Sequence, residues 1–513
     1  MKKAFCIFLC LLTFMSVFAS CKKSETENGE TTVLSEETTA EAETQSEIKE
    51  KYVTLGYYSH ESLNPFETES KTNKSITTLL YDSLFKLDSA FDAVNEIADS
   101  YKTQDDTLRV TLKDDVYFTD GTAVSASDVV YSFEKAQSAP LYKAHLSNFK
   151  SAYADSNSVV FTIYTPDIYA VNCLDFPICQ YGTASNSKPV GSGRYTLEKS
   201  DGDYILKRND NYSLGEELEQ EKIKLYDINE AENEFYLLQI GELSYVYDDF
   251  SSESIQYKIS ANTAEVALNN LVFLSFNSES EILKDENIKT AVSLAIDKAL
   301  ICSNIYDSHA SVSVTPFNPQ WSVVSSFSKD NSLQNTTEAA SLLENSGYVF
   351  EYDTNEYRSK NYSFLKLSLL VSEADEKKVE VAETISETLR KLGIDLTLEK
   401  CEQDEYLEKL EDGDFDMYIG EIMLSSNMNL APFFSENGEA NFGIDTSSTV
   451  SDAYFDFKEG KIDISTFVKV FDEYKPFVPI CYKTAVAYYS RSLQYEGSIS
   501  ENDIFANAYS WSF

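Results

Sequence analysis

Histidine most often serves as the general base or the metal ligand of a protein near neutral pH, so its supply limits the chemistry that a chain can do. This chain of 513 residues has three histidines, His60, His145 and His309. His60 opens the segment HESLN, which begins like the zinc signature His-Glu-x-x-His but has Asn64 in place of the second histidine. The sequence therefore predicts no histidine-based metal site and no histidine-dependent catalysis.

Motifs for serine catalysis and for nucleotide binding are also absent. In the segment VGSGR at 190–194, Val190 and Arg194 stand where the nucleophile elbow Gly-x-Ser-x-Gly needs glycines. The sequence also has no glycine-rich loop ending in Gly-Lys-Ser or Gly-Lys-Thr. We interpret the two glycines around Ser192 as a tight turn, and we expect a protein that is not an enzyme, has no catalytic residues and needs no cofactor.

The cysteines beyond residue 21 do not form an obvious framework. Cys173 and Cys179 are separated by five residues, which is not a usual spacing for metal ligands. The cysteines beyond residue 21 are odd in number, which argues against a complete set of disulfides, so we expect buried free thiols. A single disulfide between Cys173 and Cys179 stays open. The five are Cys173, Cys179, Cys302, Cys401 and Cys481.

Composition excludes one class of partner. Acidic residues outnumber basic residues by 85 to 42, which gives a net charge of −43, whereas nucleic acid needs a basic surface. We interpret the acidic excess as a solubilising surface. The hydrophobic share of 42%, with 34 Tyr and 31 Phe, is enough for packed cores, and the length suits about three domains.

The amino terminus has the layout of an export signal. Lys2 and Lys3 precede an apolar run at 4–19, and small residues then lead to Cys21. This arrangement resembles a bacterial lipoprotein signal peptide at 1–21, which implies cleavage before Cys21 and acylation of that cysteine. A cleaved signal without a lipid and an uncleaved anchor stay open, and each of the three would export the chain. No second apolar run long enough to span a membrane follows.

Residues 22–50 differ in composition from the rest of the chain. They are rich in Glu, Thr and Ser and have almost no large apolar side chains. Such a segment buries too little surface to offset its ordering entropy, so we expect a flexible acidic tether. A coil of this length spans on the order of 30 Å.

One stretch predicts a strand, a turn and a helix in close succession. Apolar and polar residues alternate over 107–118, and an Asp-Gly turn follows at 120–121. Ser125 stands three residues before Asp128 as in a capping box, and apolar residues then recur at helical spacing until Pro140. The stretch is structural and carries no chemistry of its own.

Later in the chain the patterns alternate between helix and strand. Apolar residues at helical spacing predict one helix over 285–301. The segments KLSLLVS at 366–372 and DLTLEK at 395–400 predict strands on either side of a helix at 379–393, with Gly393 near the helix end.

The segment FTDGTAVSASDVVYSFEKA at 118–136 closely resembles a segment of the family 5 extracellular solute-binding proteins, the oligopeptide, dipeptide and nickel receptors of ABC importers. Further segments are similar to this family in the same order, at 62–88, 188–212 and 273–301. Arg194 departs from the family pattern, which usually has Pro at that position.

The resemblance covers 51–513 and implies an α/β protein with a two-lobed periplasmic-binding-protein type II fold. The implied first lobe spans 51–270 and contains an extra subdomain at about 81–187. The second lobe would span 271–478, and 479–513 would return to the first lobe.

The resemblance also implies a function. We expect an extracytoplasmic lipoprotein, held on the membrane by its lipid, that captures a solute in the interlobe cleft and delivers it to an ABC permease. An oligopeptide is the expected solute, and we expect a monomer that binds no metal ion and no nucleic acid. Two alternatives stay open, namely a surface lipoprotein that senses or adheres without transport and a receptor for nickel chelates.

The family pattern places two segments at the cleft. The first follows the opening strand, and the second is GEIMLSSNMNL, which begins at Gly420. Peptide-binding relatives often carry a Trp and then an Asp in the second segment, and the Asp pairs with the peptide amino terminus. Here Glu421 occupies the position of the Trp, and no aspartate follows it in the segment. Either Glu421 binds the amino group of the peptide, or the ligand has no amino group. The candidate ligand-binding residues are Tyr57, Tyr58, Ser59, His60, Glu421, Asn427 and Asn429, and a packing or surface role stays open for each.

Overall fold

A computed structural model of the chain describes most residues from 52 onward. The described ranges are 52–200, 202–215, 220–229, 233–250, 259–327, 334–351, 356–495 and 497–513. The expected signal peptide at 1–21, its acylated Cys21 and the tether at 22–50 lie outside these ranges.

The strands of the described residues have the following bounds. They are β1 (Val53–Tyr57), β2 (Phe85–Leu87), β3 (Ala93–Asn95), β4 (Ala98–Gln104), β5 (Thr107–Leu112), β6 (Phe149–Asp155), β7 (Ser158–Ile163), β8 (Tyr195–Ser200), β9 (Asp203–Arg208), β10 (Lys222–Asp227), β11 (Tyr245–Asp248), β12 (Asn262–Phe276), β13 (Ala310–Val312), β14 (Ser359–Lys360), β15 (Ser363–Phe364), β16 (Lys366–Ser372), β17 (Asp395–Cys401), β18 (Met417–Met423) and β19 (Phe477–Tyr489).

The α-helices have these bounds. They are α1 (Lys71–Thr77), α2 (Ala126–Ala136), α3 (Glu234–Ile240), α4 (Glu286–Ala295), α5 (Lys298–Leu300), α6 (Thr336–Asn345), α7 (Glu376–Lys391), α8 (Gln403–Asp412), α9 (Ala431–Phe434), α10 (Thr449–Lys458) and α11 (Ile464–Tyr474). Among the described residues, no helix has both the length and the apolar composition that crossing a membrane requires.

Local sequence signals explain where α2 begins. Ser125 is its N-cap, and the backbone N–H of Ser125 donates to the Asp128 carboxylate at 2.9 Å, which completes the predicted capping box. The strand before it is shorter than predicted. It ends at Leu112, whose carbonyl accepts the side-chain amide of Asn157 at 2.9 Å.

The helix predicted over 285–301 is interrupted. α4 ends at Ala295, and Ile296 adopts an extended conformation with ψ of 119°. Asp297 then caps a new turn, because its carboxylate accepts the Leu300 N–H at 2.9 Å. The prediction of one continuous helix was therefore wrong, since the apolar spacing does not reveal that an aspartate restarts the helix.

One lobe, called here the first lobe, is built from two four-stranded sheets. Their strand orders are β1-β10-β9-β8 and β4-β5-β7-β6. β1 lies parallel to β10, with Val53 opposite Ile223, and both side chains are buried. A single hydrophobic core joins both sheets and α2, and it also takes in Trp511 from the end of the chain. The described residues near Trp511 therefore pack against the lobe that contains β1.

The second lobe is organised on a larger sheet of order β11-β19-β12-β18-β16-β17, with β13 also paired to β19. The β11 edge of this sheet lies in the first lobe, where Tyr245 belongs to the first-lobe core. Neighbouring residues of β12 point to opposite faces, as strand geometry requires. Val272 and Leu274 pack into a core on one face, while Leu271 and Phe273 pack into a core on the other. The helices of this lobe cover both faces, and α7 is followed by Gly393 with a positive φ of 86°.

Two long strands connect the lobes. β12 and β19 have 15 and 13 residues and pair in antiparallel fashion along their length. At one end Val266 and Ala487 belong to the first-lobe core, and at the other end Leu274 and Val478 belong to the second lobe. The ladder between them changes register between residues 267 and 271. The lobes are thus joined by strands that run through both. The exact boundaries expected from the sequence stay predictions.

The cysteines of the described residues are free and buried. No disulfide joins Cys173 and Cys179 in the structure. Burial raises the pKa of the Cys179 thiol to about 11, although Ser132 donates a hydrogen bond toward the sulfur at 3.7 Å. A protonated, buried thiol is a poor nucleophile, which fits a packing role.

Candidate functional site: a cavity between the two lobes

A cavity of about 590 Å³ opens where the two lobes meet. The first lobe supplies most of its wall, from the end of β1, from α1, from the turn at 141–145, from the start of α3, from β11 and from the segment 501–505. The second lobe supplies residues 423–426, at the end of β18. Ligand pockets occur preferentially at such domain interfaces, and this volume lies within their usual range of about 300–1,000 Å³.

Tyr58 is held firmly in the cavity wall by the buried Asn73 of α1. The Tyr58 N–H donates to the Asn73 side-chain oxygen at 2.9 Å, and the Asn73 side-chain amide donates to the Tyr58 carbonyl at 2.9 Å. Both backbone polar groups of Tyr58 are therefore fixed by one side chain. This clamp holds the backbone of Tyr58 in the cavity wall.

α1 presents two lysines to the cavity. The ammonium of Lys71 lies 3.7 Å from the Asp249 carboxylate. The ammonium of Lys74 lies 5.1 Å from the centre of the Tyr142 ring, within the range of a cation–π interaction. These lysines are suited to binding a carboxylate of a solute.

A half-buried ion pair lies next to these lysines. His145 Nε2 lies 3.1 Å from a carboxylate oxygen of Asp175. Burial favours the neutral imidazole, but Cys173 and Asp175 outweigh it and raise the pKa of His145 well above its ordinary value. Burial likewise opposes ionisation of Asp175, but the charge of His145 lowers the pKa of that carboxyl. Both shifts in pKa favour the ionised form of the pair.

Carboxylates occupy another part of the wall. Glu501 accepts the backbone N–H of Asn269 at 3.0 Å, and burial raises its pKa. Burial, and then the charge of Asp248, raise the pKa of Glu234 at the start of α3. The like charges of Glu234 and Asp248 repel each other, and a nearby cation weakens that repulsion.

The second-lobe wall is fastened to the first lobe. The Leu424 N–H donates to the Asn269 carbonyl at 2.9 Å, which continues the pairing of β18 with β12. The Asn502 side-chain amide donates to Ser426 Oγ at 3.0 Å, and this bond links the carboxyl-terminal segment to the second lobe. The cavity is thus bridged at one side by a direct polar contact.

The first segment of candidate residues divides between the cavity and other surroundings. Tyr58 lines the cavity, whereas Tyr57 is buried in the first-lobe core. Ser59 and His60 are tied to Asn229, whose side-chain amide donates to Ser59 Oγ at 2.6 Å and whose oxygen contacts His60 Nδ1. Of this segment the structure brings Tyr58 to the cavity.

Glu421 lies among basic residues of the second lobe, away from the cavity wall. Its carboxylate is 2.7 Å from the Lys483 ammonium and 3.8 Å from the Lys378 ammonium. The Asn270 side-chain amide donates to its other oxygen at 3.1 Å. These partners already neutralise the carboxylate, and a direct role for Glu421 in ligand binding stays a prediction.

Asn427 and Asn429 lie together at a separate cavity of about 200 Å³. Asn427 donates from its side-chain amide to Asp167 at 2.7 Å, and Asp167 forms an ion pair of 3.0 Å with Lys458. Asn429 accepts the hydroxyl of Tyr454 at 2.8 Å. Both asparagines are therefore engaged within the protein, and their ligand role also stays a prediction.

Several residues of the cavity wall were not candidates in the sequence. They are Lys74, His145, Asp175, Glu234 and Glu501. None stands in a motif, and each comes from a different part of the chain. Within the part of the chain that the structure describes, no three His, Cys, Asp or Glu side chains gather as a metal site.

Two lobes joined by crossing strands, with a solute-sized cavity between them, define a two-lobed binding protein. The sequence profile of the bacterial extracellular solute-binding proteins, family 5 Middle, matches residues 92–441. The chain belongs to this family. Membership confirms the predicted family, and it makes the protein an extracytoplasmic solute-binding protein.

Individual relatives are distant. The oligopeptide-binding protein AppA of Bacillus subtilis (strain 168) is 25% identical over 401 residues, which cover 69% of this chain and 70% of AppA. The glutathione-binding protein GsiB of Salmonella typhimurium (strain LT2) is 21% identical over 321 residues, which cover 59% of this chain and 62% of GsiB. The chain thus matches less than two thirds of GsiB.

Solved structures confirm the predicted two-lobed α/β fold. The crystal structure of a nickel ABC transporter protein from Bacillus halodurans superposes with a TM-score of 0.73, covering 88% of this chain and 98% of that chain. Sequence identity over the superposition is 20%, so this likeness concerns the fold.

Proposed function

We propose that the protein captures an oligopeptide in the interlobe cavity and delivers it to an ABC permease. The observation that carries the proposal is the cavity of about 590 Å³, whose wall combines lysines, carboxylates and tyrosines. A peptide with free termini carries both charges and a polar backbone. Lys71 and Lys74 are suited to its carboxylate, and Glu501 is suited to its ammonium group.

Two further observations support this function. AppA and GsiB, to which the chain is similar, are named for binding an oligopeptide and glutathione. The amino-terminal sequence, with its export signal, Cys21 and the acidic tether, supports a lipid-anchored receptor on the outer face of the membrane. Capture at the membrane would then present the peptide to the permease.

Two alternatives keep the fold and change the role. A receptor for nickel chelates is favoured by the fold shared with the nickel transporter protein from Bacillus halodurans. A surface lipoprotein that senses or adheres would bind its partner without feeding a permease. Binding measurements separate the first alternative from the peptide function, and uptake measurements separate the second.

Isothermal titration of the purified full chain tests the proposal. We expect alanine-based peptides of three to six residues to bind with dissociation constants near the micromolar range, about −8 kcal/mol. Histidine-chelated nickel is the competing ligand and should give no heat. Binding of the nickel chelate without any peptide binding would contradict the peptide function. Loss of peptide uptake in cells that lack the protein would exclude the sensing role.

A further inference from the structure

A second cavity, of about 200 Å³, lies where the two lobes meet. Its described lining residues differ from those of the proposed peptide site. The first lobe supplies the segments 147–148 and 164–167, and the second lobe supplies residues within 427–435 and 454–458. A single water molecule needs about 10–15 Å³ of such space, so the second cavity can hold a molecule many times larger.

The charges in the wall of the second cavity cancel. Among the described residues, the charged side chains that line it are Asp167 and Lys458. Their charged atoms lie 3.0 Å apart and both side chains are buried, so each already has its counterion. A charged ligand would find no counterion here, and burial of a charge without one is unfavourable. The wall therefore favours a neutral ligand.

Two asparagines of this wall each keep one hydrogen-bonding group for a ligand. The Asn427 amide donates to Asp167 at 2.7 Å, while its side-chain oxygen is buried and has no hydrogen-bond partner among the described residues. The Asn429 oxygen accepts from the Tyr454 hydroxyl at 2.8 Å and from the Ala431 N–H at 2.9 Å. Both lone pairs of that oxygen are thus used, and the Asn429 amide N–H groups remain. The wall offers an acceptor and a donor two residues apart.

Hydroxyl groups and a tyrosine ring complete the wall. Ser147, Thr165 and Ser435 each bring a hydroxyl, a group that both donates and accepts hydrogen bonds. Tyr164 is 66% exposed and lines the same cavity, and its ring adds an apolar surface to the wall. The backbone of Tyr164 is held in place, because its N–H donates to the Asn148 carbonyl at 2.8 Å. A ligand that matches this wall needs several hydroxyl groups and an apolar face.

We propose that the second cavity binds a small neutral molecule with several hydroxyl groups, such as a monosaccharide. A sugar ring carries hydroxyls that donate to Asn427 and accept from Asn429, and its carbon–hydrogen face packs on an aromatic ring such as that of Tyr164. A single primary amide would satisfy the two asparagines but would leave the hydroxyls of the wall without partners. The second cavity is separate from the proposed peptide site, so this inference does not depend on peptide binding.

Ligand-observed saturation-transfer NMR on the purified full chain tests the proposal. The probes are glucose, its cationic analogue glucosamine and its anionic analogue glucuronate, which share one ring and differ in charge. We expect glucose to bind with a dissociation constant near the millimolar range, and each charged analogue to bind at least about tenfold more weakly. Acetamide is the competing probe, for a site that recognises one amide group alone.

Three variants locate the bound sugar. Asn429→Asp keeps an oxygen for the Tyr454 hydroxyl and the Ala431 N–H but replaces the amide N–H groups by a negative charge. It should weaken glucose binding at least about fivefold and make glucosamine bind as tightly as glucose or more tightly. Ser147→Trp, at an exposed position of the cavity wall, should block the cavity and abolish binding. Ser151→Trp, at an exposed position of β6, is the matched control and should retain it.

Several results would overturn the proposal. They are no glucose binding at millimolar concentrations, binding of acetamide without any sugar, and equal binding of glucose and its charged analogues. Unchanged glucose binding in both Asn429→Asp and Ser147→Trp would also overturn it, because the sugar would then lie elsewhere. If glucose binds in preference to its charged analogues, and if either variant weakens it while Ser151→Trp does not, the second cavity is the sugar site.

Discussion

The ion pair between Asp167 and Lys458 offers a stringent test of how the two lobes are held together. Asp167 follows β7 of the first lobe, and Lys458 ends α10 of the second lobe. Their charged atoms lie 3.0 Å apart, and their side chains are 5% and 4% exposed. Asn427 donates to the carboxylate at 2.7 Å and accepts from the ammonium at 2.6 Å.

Removing one partner leaves the other charge buried. For a pair this well buried, Lys458→Met should lower the free energy of unfolding by about 3–5 kcal/mol, and Asp167→Asn by a similar amount. The double variant leaves no buried charge without its partner. It should therefore lower the free energy of unfolding by less than half as much as either single variant does. Glu387 and Lys391 form a matched exposed pair at 2.7 Å, and its loss should cost no more than about 1 kcal/mol.

Urea unfolding, followed by fluorescence and by circular dichroism, measures these changes. Because the chain has two lobes, each transition is compared with its own wild-type midpoint and slope. Since the pair joins the lobes, Lys458→Met should also weaken peptide binding, whereas Glu387→Gln should not. Single variants within about 0.5 kcal/mol of the wild type would refute the reasoning, because a surface pair behaves in that way.

Three further predictions follow from the cavity wall and the core. Asn73→Ala should weaken peptide binding by at least about tenfold in titration calorimetry, because the amide that fixes Tyr58 is lost; unchanged affinity would show that the clamp has no role. Because its pKa is raised in the folded protein, protonated His145 stabilises the fold below about pH 6.5, and this stabilisation is lost as the pH rises through the raised pKa. Because its pKa is lowered, ionised Asp175 stabilises the fold above about pH 4, and this stabilisation is lost as the pH falls through the lowered pKa. His145→Asn should therefore be most destabilised between these limits in urea unfolding, and a constant difference at all pH values would contradict this. With a pKa of about 11, the Cys179 thiol should resist alkylation in the folded protein and react after unfolding, as mass spectrometry would report; rapid reaction in the folded state would contradict its burial.

Elements specified by neighbouring residues could be predicted from the sequence. The helix after Ser125 follows from its capping box, and the strands predicted at 366–372 and 395–400 follow from their alternating or continuous apolar pattern. The break at Ile296 could not be predicted from the sequence, because Asp297 is as compatible with the polar face of one continuous helix as with the N-cap of a new one. Short-range signals thus define elements and leave their interruptions ambiguous.

The cavity could be predicted only as a cleft between lobes. Tyr58 was found because it follows the opening strand, which the family pattern brings to the cleft. Glu234 and Glu501 lie far apart in sequence, and tertiary packing alone brings them to one wall. The sequence also could not reveal that Lys483 and Lys378 lie beside Glu421.

The most direct test of the account is native mass spectrometry of the full chain, purified without added ligand, followed by denaturing spectra of what is released. The account predicts a series of short peptides bound to the wild type. Ser425→Trp, which fills the cavity, should abolish these adducts, and Ser465→Trp, on the exposed face of α11, should retain them. Equal adducts on both variants, or a wild-type chain that carries no peptide and binds none when peptides are supplied, would contradict the claim that this cavity is a peptide site.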